Sequence, residues 1–173
     1  MKEKRSIMLH KSHNLIYALQ SELCEFIEKP IILCLGSDKV IADCLGPLVG
    51  HLLTKQYKID AIVYGTLGRS IDKQNLEVYY NHITKTHKNK KILVIDASLG
   101  ELEKFGTIQI KKGGLLSHGN NYVKPLGDVV ITGIVLPNGV NYKYLIKETK
   151  LNFINSLAEE IAKIVYHSYK LMY

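Results

Sequence analysis

Two aspartates fall where an acid can do chemistry: Asp43, in the run Cys34-Leu-Gly-Ser-Asp-Lys-Val-Ile-Ala-Asp-Cys-Leu-Gly-Pro-Leu-Val-Gly50, and Asp96, directly after Lys91-Ile-Leu-Val-Ile95. Each follows an apolar run that reads as a buried strand. In open α/β sheets ligands collect beyond the carboxyl ends of the strands, so two acids delivered there can face one pocket. Such a pair can share a proton or hold a metal ion. Each acid also has a structural alternative. Asp43, a few residues before Pro47, can cap the following helix, a contribution of about 1 kcal/mol. Asp96 can close an Asx turn at a strand end. Two carboxylates at one sheet edge are costly to desolvate unless they are paired, hydrogen-bonded or useful.

Other residues surround this pair in sequence. Asp38 is a third acid of the first loop, either setting its backbone or adding a ligand, and Gly36 and Ser37 precede it. His118 is the histidine that lies in the Gly/Asn-rich stretch Gly113–Gly127, where an imidazole can complete a carboxylate and histidine site for a divalent metal. Gly36, Ser37, Asp38 and His118 are therefore the candidate substrate-binding residues. Nucleotide binding is disfavoured: Gly36-Ser-Asp-Lys has neither the three-glycine dinucleotide fingerprint nor a P-loop ending, and the nearby acids repel phosphate. The three cysteines, Cys24, Cys34 and Cys44, leave one unpaired in any disulfide scheme and match no zinc spacing. Cys44 beside Asp43 acts as a nucleophile only if a base reaches it.

The elements that must position these residues alternate in type. Leu15, Ile16, Leu19, Leu23, Phe26 and Ile27 recur at helical spacing before Pro30. Ile31–Leu35 reads as a strand, and Pro47 opens a helix through Leu53. Ala61–Tyr64 is a second strand, Asp72–His87 a helix with Leu76, Tyr79, Tyr80 and Ile83 on one face, and Ile92–Ile95 a third strand. Gly106–Lys111 alternates as a half-buried strand does, Asp128–Leu136 is a further β run, and Leu151–Val165 forms a closing amphipathic helix. The expectation is a single α/β domain over residues 1–173, a three-layer α/β/α sandwich with a mainly parallel sheet and an antiparallel portion around residues 106–136. The stretch Gly113–Gly127 is too long for a tight turn and reads as a functional flap or a surface excursion.

A chain of 173 residues with 46% hydrophobic content suits one soluble domain. No apolar run approaches the roughly 18 residues a membrane helix needs, and no signal-peptide core adjoins the start, so the expected location is the cytosol. The net charge of +7 favours acidic partners, yet no nucleic-acid-binding signature accompanies the scattered lysines. The terminal run Ile164–Tyr173 is expected to finish the core rather than form a dimer contact.

Four segments in order carry a family resemblance: Asp43-Cys-Leu-Gly-Pro47, Ile95-Asp-Ala97, Gly106-Thr-Ile-Gln-Ile110 and Gly127-Asp-Val-Val-Ile-Thr-Gly133. With them the chain resembles the YyaC-type sporulation proteins, a family similar to the germination protease of spore formers and, more distantly, to hydrogenase maturation endopeptidases. The resemblance implies a phosphorylase/hydrolase-like sandwich with Asp43 and Asp96 as catalytic acids. It implies a sporulation-associated peptidase in the cytoplasm of the sporulating cell or spore, with a protein or peptide substrate such as small spore proteins. The maturation endopeptidases imply an alternative in which acids at this edge bind a divalent metal. A third reading is a non-enzymatic protein that keeps the pocket to hold a peptide or partner. The chain departs from the germination protease at Leu116-Ser-His-Gly119 and is much shorter.

Overall fold

The structure, a computed structural model, describes residues 2–116, 125–139 and 149–173, with the backbone alone over residues 2–12. Its elements are helix α1 (Lys2–Leu23), strand β1 (Ile31–Cys34), a 3₁₀ turn (Ile41–Asp43), helix α2 (Leu45–His51) running into a π-helical turn (Leu52–Gln56), and strand β2 (Val63–Tyr64). Helix α3 (Leu76–Thr86), strand β3 (Ile92–Gly100), a second 3₁₀ turn (Leu102–Lys104), strands β4 (Ile108–Lys112) and β5 (Val129–Pro137), and helix α4 (Leu151–Met172) follow. The five strands form one sheet in the order β2-β1-β3-β5-β4, parallel throughout except for β4, which runs antiparallel to β5.

Strands β1 and β3 read as unbroken apolar runs because both faces of the sheet are covered. Their side chains alternate between two cores. Ile32, Cys34, Leu93, Ile95 and Ile131 meet α1, α2 and α4 on one face. Ile31, Leu33, Ile92, Val94 and Val130 meet Leu76 and Ile83 of α3 on the other. The result is the expected three-layer α/β/α sandwich with an antiparallel edge.

The connections bear on the site. From β1 the chain passes through α2 to β2 on one side, and from β2 through α3 to β3 on the other. The strand order therefore reverses between β1 and β3, a topological switch point where α/β sheets bind ligands.

Several boundaries differ from the sequence reading. Helix α1 ends at Leu23, where the Phe26 amide turns back to the Leu23 carbonyl at 2.8 Å, and Ile27 is left 99% exposed. The chain must straighten before Pro30, which removes Ile27 from the helical stripe. On α3 the buried face is Leu76, Tyr80 and Ile83, while Tyr79 points outward. Asp72–Asn75 forms a turn ahead of that helix rather than its first residues, and β2 holds two residues rather than four. The largest difference is in β3, which does not stop at Ile95 but runs on to Gly100 beside β5. At the chain's end, Ile164, Val165 and Tyr169 are buried in the core, whereas Leu171 lies exposed.

Candidate active site

Strand β1 stops at Cys34, paired with Ile95, and the Leu35 amide makes a last bond to the Ile95 carbonyl at 2.8 Å. The chain then folds back sharply. Gly36 has φ +130°, and a Cβ there would stand 2.1 Å from the Asp43 carbonyl oxygen, so only glycine allows this approach. The Ser37 amide donates to that same carbonyl at 3.0 Å, which closes the loop and holds Asp43 over the end of β1. Ser37 is itself buried. Neither the 3₁₀ turn nor α2 has a side-chain cap, so the capping role considered for Asp43 is not what places it.

Asp96 reaches the same point from β3. It pairs with Thr132 of β5 inside the strand, which rules out a terminal Asx turn. By alternation it follows Ile92 and Val94 onto the α3 face. Its residue surface is only half-buried, while the carboxyl itself is densely surrounded by protein. That burial, reinforced by the charge of Asp43, pushes its pKa up to about 7, against the opposing pull of the Ala97 amide and Lys73. Asp43 is also raised, first by burial and then by Asp72, with the Ser37 amide and Lys73 lowering it. The charge of Asp43 thus reaches Asp96 at the switch point.

Lys73 is the residue that sequence reasoning missed. It acts on both acids, and among the described residues it is in no ion pair within 4.0 Å. Its placement is tertiary: Leu35 and Ile71 form an isolated parallel bridge, which lays the turn after Ile71 beside the end of β1. That turn is internally braced, since the Asp72 amide donates to Asn75 Oδ1 at 3.0 Å and the Gln74 amide to Asp72 Oδ1 at 2.9 Å. A lone lysine after a lone isoleucine carries no signal of this in sequence.

The other candidates take different places. Asp38 is exposed, and its carboxylate accepts from the Gly68 amide at 2.7 Å and the Ser70 hydroxyl at 3.3 Å. It braces the segment that leads to Lys73. His118 lies outside the described residues. The stretch that contains it is anchored where Leu115 and Leu126 exchange backbone hydrogen bonds at 2.8 and 2.9 Å, and the Asp128 amide next to this anchor bonds the Ile92 carbonyl. These anchors stand at the Ile92 end of β3, four residues or about 13 Å of strand from Asp96.

Cys44 is buried, and its thiol is raised by burial and by the charges of Asp38 and Asp43, so these acids oppose a thiolate. Burial raises Cys34 as well. Among the described residues no three His, Cys, Asp or Glu side chains come together as a metal site.

The family model described as a protein of unknown function, DUF1256, matches residues 7–164. The chain belongs to the DUF1256 family. A relative, the uncharacterized protein YyaC of Bacillus subtilis (strain 168), is 36% identical over 149 residues, spanning 84% of this chain and 72% of that one. DUF1256 membership thus agrees with the resemblance carried by the Asp43 and Asp96 segments. A solved structure, the [NiFe] hydrogenase maturation protease HycI from Thermococcus kodakarensis KOD1, is similar with a TM-score of 0.48 and 19% identity, over 86% of this chain and 98% of that one. Among the described residues, no helix of this DUF1256 protein is long and apolar enough to cross a membrane.

Proposed function

We propose that this protein is a peptidase-type hydrolase in which Asp43 and Asp96 act together on an amide bond of a protein or peptide. The observation that supports this reading is placement: Asp43 is held over the end of β1 and Asp96 stands beside that end in β3, where burial and the charge of Asp43 keep its proton up to about pH 7. Such a pair divides the two proton transfers of amide hydrolysis. Asp43, the acid on the loop, takes a proton from a water whose oxygen attacks the carbonyl carbon. Asp96 gives its proton to the carbonyl oxygen as the tetrahedral adduct forms. On collapse of the adduct the C–N bond breaks, the proton on Asp43 passes to the leaving nitrogen, and one hydroxyl proton of the adduct returns to Asp96, which leaves a carboxylic acid and restores both acids. Lys73 favours the ionised form of the pair and so keeps one carboxylate available as base.

The family resemblance supports a role in spore formation and small spore proteins as the substrate class. The +7 chain gains no electrostatic help from basic proteins of that kind.

Incubation with a random-sequence decapeptide pool, with new termini counted by mass spectrometry, tests the reading. The wild-type chain is expected to cleave, with a rate that falls above about pH 7 as Asp96 loses its proton. Asp43→Asn and Asp96→Asn are each expected to lose about 10²–10⁴-fold. Equal cleavage by both variants and the wild-type protein sinks the pair mechanism. Saturable binding with no cleavage by the wild type selects the non-enzymatic binding protein instead.

A further inference from the structure

Beyond the Leu35 bond to Ile95, strand β3 continues with no strand paired on its β1 side among the described residues. In a parallel ladder a residue of one strand donates to one carbonyl of its neighbour and accepts from the amide two residues further on. The carbonyls of β3 that face β1 belong to alternate residues: Lys91 accepts from Ile31 at 2.8 Å, and Ile95 from Leu35 at 2.8 Å. Residues 97 and 99 come next in that series. The even positions turn to β5, as the bond from the Asn138 amide to the Gly100 carbonyl at 2.7 Å confirms.

Two groups of this extension already have partners inside the chain. The Ala97 amide serves the Asp96 carboxyl, and the Leu99 carbonyl accepts from the Ser98 hydroxyl at 3.0 Å. That leaves the Ala97 carbonyl and the Leu99 amide, neither of which is bonded on this side among the described residues. An antiparallel partner needs the amide and carbonyl of one residue, whereas a parallel partner needs a carbonyl and the amide two residues on. The vacant pair is of the second kind and lies one step past the last bond made by β1. Leu99 is 45% exposed, and Ala97 is half-buried against the core.

We propose that an extended segment of the substrate binds here as an added parallel strand, resuming the register that β1 leaves at Leu35 and lying beside Asp96 under Asp43. The ligand class is an unfolded polypeptide segment, recognised first through its main chain. Strand addition at a sheet edge is a general mode of peptide capture, with hydrogen bonds giving affinity and alternate side chains giving selectivity. This deepens the peptidase reading by naming how its substrate is held, and it also stands for a protein that binds without cleaving.

The experiment uses the full chain carrying Asp96→Asn, which cannot consume its ligand under the peptidase reading, and the wild-type chain in parallel. The probe is a fluorescein-labelled random-sequence decapeptide pool at 0.15 M salt, near a Debye length of about 8 Å, so that the basic surface contributes little. Leu99→Pro removes the outward amide, and proline is tolerated where the amide faces away from the ladder. Leu99→Ala keeps the amide and removes the side chain. Saturable binding is expected, about tenfold weaker in Leu99→Pro, the size of one unmade hydrogen bond, and less than threefold weaker in Leu99→Ala. Hydrogen exchange at the Leu99 amide is expected to slow when the pool is bound. The absence of saturable binding, equal effects of the two substitutions, or unchanged Leu99 exchange overturns the proposal. If binding follows the expected pattern while the wild-type chain cleaves nothing, the strand site stands and the peptidase reading falls.

Discussion

Where β3 begins, the Asp128 carboxylate accepts one hydrogen bond from the Lys91 ammonium and one from the Ile92 amide, each at 2.9 Å. Four residues further along the same strand, Asp96 has only its own neighbour's amide and the more distant Lys73 to set against burial and the charge of Asp43. Both acids border the same two strands, and they are treated in opposite ways. At the first end a carboxylate is satisfied and ties β3 to β5. At the second, a buried carboxyl lies within reach of the charge of another acid, an arrangement that costs stability once the carboxyl ionises. The glycines follow the same division: Gly36 is pressed against the Asp43 backbone, whereas Gly113, at the other end, has φ +93° and open space for 4 Å around the point a Cβ would occupy.

The contrast is sharpest in the pH dependence of stability. The folded chain holds the Asp96 proton up to about pH 7, while an unfolded aspartate loses it near pH 3.9. Between those values the folded state binds more protons, so stability falls as pH rises, by roughly 4 kcal/mol at most. Asp96→Asn is expected to remove that slope, raising Tm relative to wild type at pH 8 and changing it little at pH 4. Parallel Tm curves for the two proteins break the contrast. Gly36→Ala is expected to cost about 3 kcal/mol in denaturant unfolding, from backbone strain and the clash with Asp43. Gly113→Ala is expected to cost about 1 kcal/mol, from strain alone. Asp128→Ala, which unties the first end, is expected to cost about 1–2 kcal/mol while leaving the pH profile of cleavage unchanged. The smallest effect is expected from Lys73→Met, which shifts the alkaline fall in cleavage upward, since the lysine lowers both acids. A downward shift contradicts the place given to Lys73.

The layers of the fold were legible because Ile31–Cys34 and Ile92–Ile95 are apolar at every position, as strands covered on both faces must be. The acids were legible as types at strand ends. Their exact setting was not. Asp-Ala-Ser-Leu-Gly after Ile95 has no strand pattern of its own, and β3 persists through it only because β5 lies alongside. Asp38 looked like a third member of the pair, yet its partners are about thirty residues away in the chain and draw it outward. Lys73 depends on the Leu35–Ile71 bridge, a contact between segments that no local periodicity announces. His118 lies outside the described residues and stays a candidate by sequence alone.

Helix α4 contributes Ile154, Leu157, Ala158, Ile161, Ala162, Ile164, Val165 and Tyr169 to the core that also holds Ala42 and Leu45, the apolar neighbours of Asp43. Gly133 lets Leu45 and Leu157 meet directly over β5, where a Cβ would stand 2.4 and 2.8 Å from them. Both acids leave the ribosome long before this helix does. The loop that carries Asp43 therefore rests on β1 and β3 alone until Leu151–Met172 has been synthesised and adds its support from the other side.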